Sequence, residues 1–343
     1  MFGRFTATAE PTGIVENFLH GKTSVWIGAL SFEERCIASL QQLANLPTRL
    51  DRGFLLKYST KVEPQYQDVR LRKGHLDIIT RLGDRVFKDG CLQVEVDPYS
   101  FEAFSIVFNE IIAKSKTTLV ICDVTCFTKI HTLALAAGIQ RHSEYVGCIV
   151  VHAVPENYVM GDSRSDAIGW RDVIVAPLAA KATLFNETRG RGIILLGHEA
   201  DRLVVALAEL EPAGGTVLLS TTEGRPDLRR ISQRFNRKVL RHLMRLRSHT
   251  WRTEILDVSD LERLHSCVGS EIHVAKEFQA PVVLFPFGPK PLVLLTALQL
   301  SAEYSEAAWF VYPVPASYDI NYTEGIQGCL WLTPAAQPVS DVD

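Results

Sequence analysis

The chain has 343 residues, 47% of them hydrophobic and 22% charged, with a formal net charge of -3. That length accommodates two ordinary domains with sizeable cores, and it argues against a disordered chain or one that coats nucleic acid or membranes through bulk charge. The seven cysteines are odd in number, scattered and mostly set in apolar runs, the usage of buried thiols in a reducing compartment. No CxxC or HExxH occurs. Cys122 and Cys126 have no second Cys/His pair at metal spacing, so no metal and no cofactor is expected. Met1 to Ala9 lacks a signal-peptide core and no apolar run reaches the roughly eighteen residues of a membrane span, so the expectation is a cytoplasmic protein with no membrane partner.

In chain order, short apolar runs alternate with longer helical patterns, which predicts an α/β fold with mostly parallel sheets covered by helices. Strands are expected at Ser24–Leu30, Gly53–Tyr58, Leu92–Val96, Thr118–Cys122 and Tyr145–Val151. Helices are expected at Glu33–Ala44 (with Ser31 as N-cap), Val62–Leu82, Phe101–Ala113 and Ile130–Ile139. The second half repeats the order. Its strands fall at Gly192–Leu196, Thr216–Ser220, Thr253–Leu256, Val282–Phe285 and Ala308–Tyr312, and its helices at Asp201–Leu210, Asp227–Leu246, Leu261–Val274 and Leu292–Ala302.

The repetition reaches individual residues. Glu34-Arg35 aligns with Asp201-Arg202, Asp97 with Asp257, and the segment ending at Tyr158 with that ending at Tyr318. "WRDVIVAP", ending at Pro177, matches "IQGCLWLTP", ending at Pro334. These landmarks predict two tandem Rossmann-like units related by internal duplication and packed about a pseudo-twofold axis: residues 1–177, a linker 178–191, and residues 192–343. Ligands in such sheets bind beyond the carboxyl ends of the strands, so two units facing one axis would share a composite cleft.

Four segments carry candidate chemistry. The first, Gly28 through Ser31 to Arg35, is a small-residue turn opening a helix, where free backbone N–H groups suit an anion; Glu34 and Arg35 pairing locally is the structural alternative. The second, "CDVTCFTK", puts Asp123 and Thr125 past an apolar strand and Lys129 at a helix start, a cradle for a phosphate or ribose. Its counterpart "FPFGPKP" keeps Gly288 and Lys290 without the Asp and Thr, so the cleft is expected to be asymmetric. The third is the pair of polar loops carrying Tyr158 and Tyr318, rings that could stack on a base or pack between the halves. The fourth is a basic helix, in which Arg230, Arg234, Arg237, Arg241 and Arg245 share one face with Lys238 beside them. Such a face suits nucleic acid or an acidic protein surface, or is simply solvated. Evidence for catalysis is thin. Cys126 as a nucleophile and Asp162 with Asp166 as metal ligands are each less economical than a buried thiol and a polar loop.

A strand followed by Asp123, a hydrophobic residue, Thr125 and then Lys129 entering a helix resembles the motif of CRISPR-associated Rossmann-fold (CARF) sensor domains. The Gly28-to-Ser31 turn is similar to the end of their first strand. The chain departs from that pattern at Cys126-Phe127, where those domains usually have a glycine. The resemblance implies a fused pair of sensor domains binding a cyclic oligonucleotide across a twofold interface. The expected function is a nucleotide-sensing or scaffolding subunit of a bacterial antiviral system, leaning non-enzymatic, with a protein partner. The alternatives are a nucleotide-processing enzyme (a ring nuclease or hydrolase) using the same cleft, and a binding module acting through the basic helix 227–247.

Overall fold

The computed structural model describes residues 5–9, 12–59, 69–144, 146–158, 167–179, 182, 190–197, 201–222, 225–245, 250–318 and 323–334. Asp162, Asp166, Arg247 and most of the expected linker lie outside them, as do the side chains of Tyr318 and Arg245.

The first half runs β1 (Phe5–Thr8), α1 (Thr12–Leu19), β2 (Ser24–Ala29), a 3-10 turn (Glu34–Ile37), α2 (Ala38–Leu43), β3 (Arg52–Tyr58), α3 (Val69–Val86), β4 (Cys91–Val96), α4 (Phe101–Ser115), β5 (Leu119–Asp123), α5 (Lys129–Arg141) and β6 (Gly147–Val154). Three strands follow: β7 (Asn157–Tyr158), β8 (Ala167–Ile168) and β9 (Asp172–Pro177). The second half runs β10 (Arg191–Leu196), α6 (Asp201–Glu209), β11 (Gly214–Thr221), α7 (Pro226–Arg245), β12 (Thr250–Asp257), α8 (Leu261–Glu277), β13 (Val282–Phe287), α9 (Lys290–Glu303) and β14 (Ala308–Val314), then β15 (Ser317–Tyr318), β16 (Thr323–Glu324) and β17 (Gly328–Pro334). The chain is thus a mixed α/β protein with mostly parallel sheets.

The expected strands and most expected helices match observed elements; of the helix expected at Val62–Leu82, residues 62–68 lie outside the described residues and the rest is α3, which runs on to Val86, and one further element differs locally. The helix expected at Glu33–Ala44 is split into the 3-10 turn and the short α2. Ser31 does not cap a helix; its Oγ accepts the Glu33 N–H at 3.2 Å and tightens the turn instead.

One sheet has the order β1-β17-β6-β5-β2-β3-β4, and the other β12-β11-β10-β13-β14-β9. From β4 to β6 and from β12 to β14 the strands are parallel and follow the same order, each extended from a central strand, β2 or β10. The antiparallel strand that follows is exchanged. β17, from the end of the chain, pairs with β6, whereas β9, which follows the first half, pairs with β14. Two small ribbons repeat the exchange, β16 pairing with β7 and β15 with β8. A linear division near residue 177 therefore does not follow the sheets, because each sheet draws its antiparallel strand from the other half of the sequence.

Local devices recur in both halves. Asp97 accepts the Tyr99 N–H and Asp257 the Ser259 N–H, both at 2.9 Å. Ser100 then caps α4 by accepting from Ala103, and Asp260 caps α8 by accepting from Arg263.

The sheets are joined by α5 and α9, which pack against each other. Neither helix has an amphipathic stripe: Lys129–Ala136 and Pro291–Ser301 are buried throughout, as expected of helices surrounded by protein. One apolar core consequently runs from β2, β5 and β6 through α5 and α9 to β10 and β13. A second core lies between the outer face of the second sheet and α6 and α7, around Ile194, Leu203, Val239 and Leu243. Among the described residues, no helix is long and apolar enough to cross a membrane.

Candidate functional site

The strand ends of the two sheets meet where α5 and α9 begin. The turn after β2 brings Glu33 and Arg35, the turn after β5 brings Thr125 and Cys126, and β6 brings His152 and Ala153. The second half contributes Lys290, the first residue of α9, and Thr323 of the ribbon β16–β7.

Arg35 is 6% exposed and fixed on two sides. Its Nε donates to Glu33 Oε2 at 3.0 Å and its Nη2 to the same oxygen, while Nη1 donates to the Ala153 carbonyl at 3.0 Å. Thr323 Oγ1 donates to Glu33 Oε2 at 2.8 Å, so a residue late in the chain completes this pair. Burial alone would push the Glu33 carboxyl up, but the positive charges of Arg35 and Lys290, with the hydrogen bonds from Arg35 and Thr323, hold it below the usual carboxylate range. Glu33 is therefore ionised near neutral pH.

Lys290 crosses between the halves. Its Nζ donates to the Thr125 carbonyl, and its charge is felt by Glu33, Asp123, Cys126 and His152. Lys129, 8% exposed, starts α5 behind an N-cap in which Thr128 accepts the His131 N–H. Helix starts carry a partial positive charge, and two of them converge here. Arg35 and Lys290 are the cations whose charges reach Glu33, Cys126 and His152, while Lys129 marks the start of α5. Burial and the neighbouring Arg35 and Lys290 charges hold the His152 imidazole well below its ordinary pKa, and so neutral.

Asp123 and Thr125 work within the protein. Asp123, 2% exposed, accepts the Thr125 N–H through Oδ1 and the Ser39 hydroxyl through Oδ2, and Ser39 in turn accepts the Trp26 indole N–H at 3.2 Å. Burial outweighs these bonds and raises the Asp123 pKa. The Thr125 hydroxyl accepts the Ala153 N–H at 2.8 Å, tying the turn to β6. Together they hold the backbone from which Lys129 and the Thr125 carbonyl project. Burial pushes the Cys126 thiol well above its ordinary range, which disfavours a thiolate nucleophile there.

Gly28 serves packing: a Cβ there would stand 2.3 Å from the Trp26 ring. Gly288 similarly passes close to Leu195, where a Cβ would come within 2.9 Å of that residue's Cβ. Tyr158, half-buried in the ribbon β16–β7, lies within the electrostatic reach of Arg35. Tyr318 occupies the matching position in the ribbon β15–β8. The basic helix is elsewhere, on the outer face of the second sheet, packed on β11 and α6.

Sequence reasoning passed over Glu33, His152 and Thr323. For Glu33, the legible signal was its placement two residues before Arg35 in a turn after a strand. Thr323 is far away in sequence and arrives only through strand exchange.

The fold and site define a Rossmann-like α/β protein with two mostly parallel sheets and a polar, charged junction between their strand ends. No protein-family model matches the chain, and no curated protein matches it significantly. Among solved structures it is similar to a type III CRISPR defence DNA nuclease activated by cyclic oligoadenylate, with a TM-score of 0.51 and 9% identity, over 84% of this chain and 65% of the nuclease. It is also similar to Can2 from Sulfobacillus thermosulfidooxidans in complex with cyclic tetra-adenylate, with a TM-score of 0.26 and 17% identity, over 38% of this chain and 32% of Can2. The chain thus spans about a third of one relative and just under two thirds of the other. At 9% identity the likeness to the nuclease is one of fold.

Proposed function

We propose that this chain is a nucleotide-sensing or scaffolding subunit, and that its ligand is a cyclic oligonucleotide bound where the strand ends of the two halves meet. The carrying observation is Lys290, a residue of the second half hydrogen-bonded to the turn after β5 of the first. With Arg35 and Lys129 it concentrates positive charge at two converging helix starts, an arrangement suited to phosphate. The structurally similar nuclease is activated by cyclic oligoadenylate, which supports the same ligand class and a role in antiviral defence here.

In this reading Lys129, Lys290 and Arg35 meet phosphates, Tyr158 and Tyr318 stack on bases, and the turns at Gly28–Ser31 and Gly288 offer backbone N–H groups. Asp123 and Thr125 are positioning residues that fix the turn. We also read the halves as copies of one unit, each lending its antiparallel strand to the other. The matched strand order and the paired Asp97/Asp257 and Ser100/Asp260 devices support that reading.

The test is mass spectrometry of nucleotides released from the purified protein, followed by incubation with cyclic tetra-adenylate. Intact cyclic ligand released and recovered supports a sensor. Linear product would favour the nucleotide-processing alternative, and no retention of any nucleotide would count against the site.

A further inference from the structure

The α7 helix spans 20 residues, about 30 Å at 1.5 Å per residue. Its inner face is firmly held. Ser232 Oγ and Asn236 Nδ2 donate to the Gly197 carbonyl at 2.8 and 2.7 Å, and Val239 and Leu243 enter the outer core of the second sheet. The opposite face consists of Arg230, Arg234, Arg237, Lys238 and Arg241, all exposed, with Arg229 exposed beside them. Among the described residues none of these six has an ion-pair partner. Like charges three and four residues apart repel, and the helix leaves that repulsion uncompensated. The row from Arg230 to Arg241 covers about 16 Å along the axis, the length of roughly five phosphates of one duplex strand at about 3.4 Å each.

We propose that α7 is a docking surface for the phosphate backbone of a nucleic-acid duplex. Charge complementarity argues for a polyanion. The predominance of arginine, whose planar fork matches phosphate, favours phosphodiesters over a carboxylate-bearing protein surface. A duplex is preferred to a single strand because the described exposed residues of α7 include no Trp, Tyr or Phe on which unpaired bases would stack. The site does not depend on the nucleotide reading above, since it lies on the outer face of the second sheet.

The test is fluorescence anisotropy of the full chain with a labelled 20-base-pair duplex, as DNA and as RNA, and with the single strand alone, across a salt series. The expected slope of log affinity against log salt is about -3 to -4, from four phosphate contacts at about 0.9 each. The triple variant Arg234→Gln, Arg237→Gln, Arg241→Gln should reduce that slope by about 3 and weaken binding more than tenfold, with a melting temperature no lower than that of the wild type. Arg→Lys changes at the same positions should retain the slope. The proposal is overturned if the wild-type chain does not bind duplex at about 50 mM salt, if the triple variant binds like wild type, if the single strand binds more tightly, or if a polyglutamate peptide displaces the duplex at equal charge.

Discussion

Arg35 and Arg202 make the same hydrogen bond in the two halves: Nη1 of Arg35 donates to the Ala153 carbonyl at 3.0 Å, and Nη1 of Arg202 to the Pro313 carbonyl at 2.8 Å. Their surroundings differ. Arg35 is paired with Glu33, whereas Arg202 reaches the Tyr312 hydroxyl and lies 5.3 and 5.8 Å from the Tyr312 and Phe287 ring centres. Both arginines thus anchor to the strand that follows α5 or α9, and Arg202 does so beside two aromatic rings.

Removing Arg35 takes the paired cation from the Glu33 carboxylate, whose side chain is only 19% exposed, and leaves it the Thr323 hydrogen bond and the Lys290 charge. Breaking such a pair costs about 3 kcal/mol, the low end for buried pairs given this partial exposure. Arg35→Ala should show that loss in urea titration. Adding Glu33→Gln should recover part of it, and a double mutant as unstable as the two single losses summed would contradict the pairing.

Acid should destabilise the fold through its buried histidines. His131, stacked 4.8 Å from the Phe104 ring centre and bonded through Nε2 to the Asp97 carbonyl at 2.8 Å, is pushed down to about 4 by burial. A histidine with a depressed pKa contributes stability that is complete above its unfolded value near 6.5 and is lost as pH falls toward the folded value. Between pH 7 and pH 5 this one residue should cost roughly 2 kcal/mol. His152 acts in the same direction, and Glu33 and Asp51 join below about 4.5. Asp123, with a raised pKa, opposes them by stabilising the fold as it protonates. Thermal melts of His131→Gln should show a visibly flatter dependence from pH 7 to pH 5 than the wild type, and an identical dependence would contradict the assignment.

The exchanged strands should make the halves interdependent. β17 inserts between β1 and β6, with Trp331 wholly buried and its Nε1 donating to Gln42 Oε1 at 2.7 Å. Residues 1–182 expressed alone lack that strand and should be insoluble, as should residues 190–343, whereas the two co-expressed should purify together. Trp331→Ala should cost about 3–5 kcal/mol. A soluble, monomeric first fragment would contradict the interdependence.

Much of this architecture was legible in sequence because alternating strands and helices depend on local periodicity. "VVHAVPENY" and "FVYPVPASY" resemble each other in sequence, and they run out of β6 and β14 respectively. The exchange of β9 and β17 was not legible, since "WRDVIVAP" and "IQGCLWLTP" are matching strands whichever sheet accepts them. The Asp123–Thr125–Lys129 spacing was visible, but the inward direction of Asp123 depends on Ser39 and Trp26, 84 and 97 positions away. Nothing local in "FPFGPKP" indicates that Lys290 bonds a carbonyl 165 residues earlier.

Isothermal titration of cyclic oligoadenylates into the intact chain and into the Lys129→Ala, Lys290→Ala double variant tests the junction most directly. Lys129 and Lys290 begin the two helices that meet there, and Lys290 already donates to the opposing half. Charged hydrogen bonds contribute about 1.5–3 kcal/mol each and are not additive, so the double variant should weaken binding by roughly 2–4 kcal/mol. The predicted result is one ligand per chain with that loss in a variant that still folds. Absence of binding heat for any cyclic oligoadenylate, or unchanged affinity in the double variant, would contradict the assignment of the strand-end junction as a nucleotide site.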